Sequence, residues 1–138
     1  MNKKIYIELS FLILLGVLTS FSLPPFNYIL INFLTLSLLF IFLIKKSQSN
    51  KNKFFFFIYG WFFGFGYFLS NLYWISISLT YDDNFKFLIP FSLILVPSFL
   101  ALFYALISFF FIILKPKKNL TSFFLFGLIF GLIEFIRG

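Results

Sequence analysis

The stretch FFFFIYGWFFGFGYFLSNLYWISISLT, residues 54–80, carries no charged side chain. Wholly helical, it would measure about 40 Å. A hydrocarbon core is roughly 30 Å thick, so such a helix crosses it and must tilt, kink or project beyond it. Two apolar runs precede it, at 5–21 and 28–44, and two follow, at 87–114 and 120–136. Charges collect in the gaps. Lys3 and Lys4 precede the first run; Lys45, Lys46, Lys51 and Lys53 follow the second; Lys115, Lys117 and Lys118 follow the fourth, so nine of the 11 cations occupy alternate gaps. The positive-inside bias therefore predicts a cytoplasmic N-terminus and two cytoplasmic loops. The other side takes the uncharged turn 22–27, the loop with Asp82, Asp83 and Lys86, and the end 134–138.

Composition leads to the same class. With 62% hydrophobic and 11% charged residues, and a mean hydropathy of +1.05, too little polar surface exists to coat a water-soluble globule. The net charge of +7 would suggest a nucleic-acid partner in a soluble chain. These lysines instead flank hydrophobic segments, where anionic lipid retains them, so no nucleic acid is expected. The chain has no cysteine and no histidine, which removes thiolate nucleophiles, disulfides, the usual proton shuttle and the commonest metal ligand. No cofactor or metal is expected. The expected fold is an all-α, polytopic transmembrane helix bundle of about five spans, N-terminus cytoplasmic.

The first run is at the short limit for a span. Two lysines, an apolar stretch and Ser20-Phe21-Ser22 also resemble a cleavable signal peptide, but the triplet is a poor cleavage site and further spans follow. Glu8 lies four residues after Lys4, where a helix would make them neighbours at the cytoplasmic interface. Pro24 and Pro25 end the first helix, since neither donates a backbone hydrogen bond, and a tight turn leads into the second. In the long third run Gly60 and Gly64 fall one turn apart, a spacing that lets another helix approach closely. Tyr73 and Trp74 fall near its outer end, where such rings anchor at lipid headgroups. Pro90 and Pro97 lie in the fourth run, Pro97 far enough in to bend a helix. Gly127 and Gly131 repeat the four-residue glycine spacing in the fifth. Glu134 and Arg137, three apart, share a helical face and can pair. Their spacing fits an intramembrane ion pair as well as two groups reaching outer water.

Ser22-Leu23-Pro24-Pro25-Phe26 closes the first segment, Gly60-Trp61-Phe62-Phe63-Gly64-Phe65-Gly66-Tyr67-Phe68 continues to Tyr73-Trp74-Ile75, and Glu134-Phe135-Ile136-Arg137-Gly138 ends the fifth. In order, spacing and membrane side these resemble the N-terminal membrane region of the apolipoprotein N-acyltransferase family, over nearly the whole chain. The resemblance implies an eight-helix bundle in the bacterial inner membrane carrying an outer nitrilase-type domain with a glutamate, lysine and cysteine catalytic set. There a thiolate takes an acyl chain from phospholipid as a thioester and passes it to the N-terminal amine of the lipid-modified cysteine of an apolipoprotein. None of those three residues can be assigned in this chain. Its 138 residues end before such a domain would begin, so a fragment or truncated product, inactive alone, is expected. By the same resemblance Gly60, Gly64 and Gly66 allow close helix packing, Tyr73 and Trp74 lie near the outer mouth, and Glu134 and Arg137 sit beneath the catalytic domain. Arg137 suits a phospholipid phosphate because its guanidinium fork matches that group.

Two other classes fit the same residues. One is a small non-catalytic membrane binding or assembly protein that associates through its glycine faces. The other is half of a transporter, but the five runs show no internal duplication and few polar residues fall near the midplane.

Overall fold

In lipid, apolar runs can satisfy their backbone hydrogen bonds only within helices or closed barrels. The computed structural model of the protein describes residues 3–24, 26–49, 52–78, 87–116 and 119–138, with the backbone alone for 73–78 and 119. It contains α1 (Lys3–Ser20), α2 (Ile29–Ser49), α3 (Phe54–Ser78), α4 (Ile89–Leu114) and α5 (Asn119–Arg137), and no strand among the described residues. Four helices have stretches long and apolar enough to cross a membrane: Ile29–Ser49, Phe54–Leu72, Ile89–Leu114 and Leu120–Arg137. Helix α1 is the weakest candidate, because Lys3, Lys4 and Glu8 occupy its first two turns. Large apolar side chains face outward on every helix, among them Ile7, Leu30, Phe54, Phe99 and Phe135. Phe135 is 84% exposed, a placement that costs little only against lipid or further protein.

Helix α3 lies between α1 and α4 because glycines open two of its faces. At about 100° per residue Gly60 and Gly64 share one face, and Gly66 lies roughly 200° from Gly64, on the other. A Cβ at Gly60 would collide with the backbone oxygen of Tyr104 and lie 2.5 Å from Ser108 Oγ. One at Gly64 would lie 2.7 Å from the Cβ of Tyr104 and 3.1 Å from the Cα of Ala101. On the opposite face, a Cβ at Gly66 would run into the carbonyl of Ile13, and Gly16 of α1 answers by lying against the backbone of Phe63 and Tyr67. Ala101, Ala105 and Ser108, all buried, make α4 correspondingly smooth where it meets α3. Trp61 then ties the two helices by donating its indole N–H to the Ser98 carbonyl at 3.1 Å. Helix α4 remains helical through Pro97, which is buried.

The turn after α1 behaves as its prolines require. Successive i to i−3 bonds from Phe21, Ser22 and Leu23 tighten the helix end, Asn27 takes a left-handed φ of 54°, and Tyr28 N–H reaches back to the Phe21 carbonyl at 3.2 Å. Pro24 sits exposed in that turn, while Pro25 lies outside the described residues. Helices α1 and α2 are joined inside by the Thr19 hydroxyl donating to that of Thr35 at 2.9 Å. Helix α5 packs on α4 through Phe126, Ile129 and Phe130, with Phe126 also meeting Phe40 of α2 at 5.6 Å.

Because the obstructing atoms at Gly16 and Gly60 include backbone, neither site can absorb a methyl by rotating a side chain. Gly16→Ala and Gly60→Ala are each expected to destabilise the bundle by about 1–3 kcal/mol. Gly127→Ala, inside α5 and facing open space, should instead leave stability unharmed or raise it by up to about 1 kcal/mol through helix propensity. Reversible unfolding in mixed detergent micelles measures all three.

Candidate functional site

Helix α5 is six residues shorter than α3 and seven shorter than α4. Its last turn, which holds Glu134 and Arg137, therefore comes to rest against the interior of the bundle. The carboxylate and guanidinium form an ion pair, with side chains about a quarter exposed. Arg137 also lies over the ring of Phe68, 5.2 Å from its centre, a contact that favours a cation above the electron-rich face. Around them stand Tyr67 and Tyr104, whose phenols feel both charges. Tyr104 packs on Tyr67, Phe68 and Phe130 at 5.5–5.6 Å between ring centres.

Depth follows from the helix rise. Tyr67 is eleven residues from the α3 terminus at Ser78, about 16 Å along the axis, and Tyr104 is fifteen residues from Ile89, about 22 Å. The pair thus sits beside the middle of two longer helices. Glu134 Oε1 and Arg137 Nε are buried without a hydrogen-bond partner among the described residues. Retained capacity of that kind in an apolar surround is costly unless another polar group shares it. The two charges cancel, and among the described residues no metal-binding group of carboxylates stands beside them.

Of the residues singled out by spacing, Gly60, Gly64 and Gly66 lie at close helix approaches, whereas Gly127 and Gly131 do not. A Cβ at either of the latter meets nothing within 4 Å. The physical reason is that α5 turns its Phe126–Phe130 face to α4, which leaves Gly127 on a groove of about 190 Å³ with Phe33, Leu36 and Ser37 of α2. The expected packing at these two glycines is therefore not found among the described residues. Tyr73 and Trp74 fall on the last two turns of the α3 backbone, and their side chains lie outside the described residues, as do Asp82, Asp83 and Lys86.

A second polar cluster occupies the lysine-rich end. Glu8 pairs with Lys46 of α2 rather than with Lys4, and accepts a hydrogen bond from the Tyr59 hydroxyl of α3 at 3.2 Å. Helix spacing pointed to Lys4, but the α1–α2 hairpin brings a cation from across the bundle. Lys115 donates to Ser47 at 2.7 Å at the same end. Missed by spacing as well were Gly16 and the aromatic wall of Tyr67, Phe68 and Tyr104. The only two alanines of this chain, Ala101 and Ala105, stand four apart on α4 and could have marked the α3 partner.

The family model described as the apolipoprotein N-acyltransferase N-terminal domain matches residues 15–138. The chain belongs to that family. It is similar to the apolipoprotein N-acyltransferase of Rhodopseudomonas palustris, with 38% identity over 96 residues, covering 68% of this chain and 18% of the relative. It is 41% identical to that of Rickettsia typhi over 83 residues, 57% of this chain and 16% of the relative. The Brucella suis protein of the same name is 53% identical over 47 residues, 33% of this chain and 9% of the relative. The chain thus spans less than a fifth of the length of these curated relatives. No solved structure matches it significantly.

Removal of one member of the Glu134–Arg137 pair strands the other in the bundle. Glu134→Gln is expected to cost about 1–3 kcal/mol. Adding Arg137→Gln should cost less than the two single changes summed, leaving a coupling energy of at least about 0.5 kcal/mol in a double-mutant cycle. A coupling near zero would show two independently solvated groups.

Proposed function

We propose that the chain is the membrane portion of an apolipoprotein N-acyltransferase of the bacterial inner membrane. That enzyme transfers an acyl chain from a phospholipid donor to the N-terminal amine of the diacylglyceryl-cysteine of an apolipoprotein. Alone, the chain is inactive. It contains no cysteine, so the thioester step draws its nucleophile from a nitrilase-like domain outside this sequence.

One observation carries the reading: the family match extends through the last turn of α5, where an ion pair is held inside an apolar bundle. In this account Arg137 engages the phospholipid phosphate, for which its planar donors are suited. Glu134 and the Phe68 ring hold the guanidinium in place. Tyr73 and Trp74 stand nearer the outer mouth, on the turns of α3 beyond Tyr67. A non-catalytic assembly protein is the second reading, and the open faces of Gly127 and Gly131 favour it.

Two measurements separate them. The native transcript is read past the codon for Gly138 and the intact mass of the membrane product is determined. A product several hundred residues longer with a cysteine, lysine and glutamate set supports the enzyme, and one ending at Gly138 supports the assembly protein. In the full-length enzyme, Arg137→Ala should raise the KM for phospholipid at least about tenfold, the scale of losing a hydrogen bond to a charged group. Unchanged phospholipid affinity and acyl transfer would remove Arg137 from the substrate site.

A further inference from the structure

The cluster at the lysine-rich end opens onto a cleft of about 230 Å³ between α1, α2 and α3, lined by Lys4, Glu8, Lys46, Ser49, Phe55 and Tyr59. Two ammonium groups and one carboxylate leave it with one net positive charge. The carboxylate is already engaged: one oxygen takes Lys46 and the other accepts from Tyr59. Lys46 holds three N–H donors, of which Glu8 Oε1 takes one, and its ammonium lies 5.9 Å from the Phe42 ring centre. Lys4 makes no ion pair or hydrogen bond among the described residues. The cleft therefore offers spare donors from two lysines on a backing of three helices, while the Ser49 hydroxyl is turned to the Lys46 carbonyl at 3.4 Å.

We infer that this cleft binds the phosphodiester headgroup of an anionic phospholipid in the leaflet facing the lysine-rich loops. Its single excess charge matches a phosphodiester monoanion, and charge-assisted bonds from ammonium donors are the strong kind. The choice of lipid over free phosphate rests on the flanks. Ile5 of α1 and Phe55 of α3, both half-buried, line the cleft alongside its charged groups. Acyl chains hanging from a bound headgroup would cover such apolar surface, whereas inorganic phosphate gains nothing from it. The positive-inside bias assigns this end to the cytoplasm, apart from the Glu134–Arg137 pair beside the middle of α3.

The test uses the full 138-residue chain in detergent micelles, titrated with phosphatidylglycerol or phosphatidylcholine and read by native mass spectrometry. Phosphatidylglycerol should bind more tightly than phosphatidylcholine. Lys4→Gln should weaken it at least about tenfold, as expected for a lost charge-assisted hydrogen bond. Lys53→Gln, exposed at the same end but outside the cleft, should weaken it no more than about fivefold. A large excess of inorganic phosphate should leave the lipid bound. Equal losses in the two variants would reduce the effect to diffuse surface attraction and overturn the site. Displacement by inorganic phosphate would reassign it to a free anion, and the absence of a phosphatidylglycerol preference would overturn it entirely.

Discussion

The backbone of α3 touches the backbones of both α1 and α4, and the rest of the bundle depends on that double approach. In lipid the hydrophobic effect gives helices no reason to prefer one another over acyl chains, so association rests on close van der Waals contact. Phenylalanine makes such contact difficult, since 27 of them crowd the chain. The glycines of α3 resolve the conflict by clearing two strips, one for the alanines and serine of α4 and one for Ile13 and Gly16 of α1. The rings then pack around the seams, as Phe63 does against Tyr104 at 5.6 Å. Helices α2 and α5, without equivalent glycine contacts, lie at the periphery with wide lipid-facing surfaces.

Polar groups follow from the same constraint. A charge within the apolar body must find a partner there or reach water. Glu8 finds Lys46 and Tyr59 at one end, and Arg137 finds Glu134 and Phe68 beside the middle of α3. The first cluster closes the lysine-rich end by joining three helices. The second hangs on the shortness of α5, which sets its charged last turn beside aromatic residues deep in its longer neighbours.

Helix number and class were legible in the sequence because hydropathy and charge act over whole runs. The apolar runs at 28–44, 87–114 and 120–136 correspond to α2, α4 and α5 within a few residues, and the prolines at 24 and 25 marked the first turn. Partnership between helices was less legible, since apolar side chains surround most of each helix and only small residues such as Gly60, Gly64, Ala101 and Ala105 mark a contact face. Four-residue glycine spacing therefore identified a real seam at Gly60 and Gly64 and an open groove at Gly127 with equal force. Glu8 shows the same difficulty: local spacing offered Lys4, and the fold supplied Lys46 from 38 residues away. The Glu134–Arg137 pair was visible because both members lie on one helix, while the aromatic wall behind it comes from two others.

The contact of α3 with α4 is the central claim, and the absence of native cysteine makes it directly measurable. Phe57→Cys combined with Phe109→Cys places thiols where two rings of α3 and α4 stand 6.3 Å apart between centres, without adding bulk at the glycines. A short bis-thiol cross-linker in native membranes should join this pair rapidly, and Phe57→Cys combined with Gly127→Cys should stay uncross-linked. Equal cross-linking of both pairs, or none in the first, would contradict a bundle built on the α3 glycine seam.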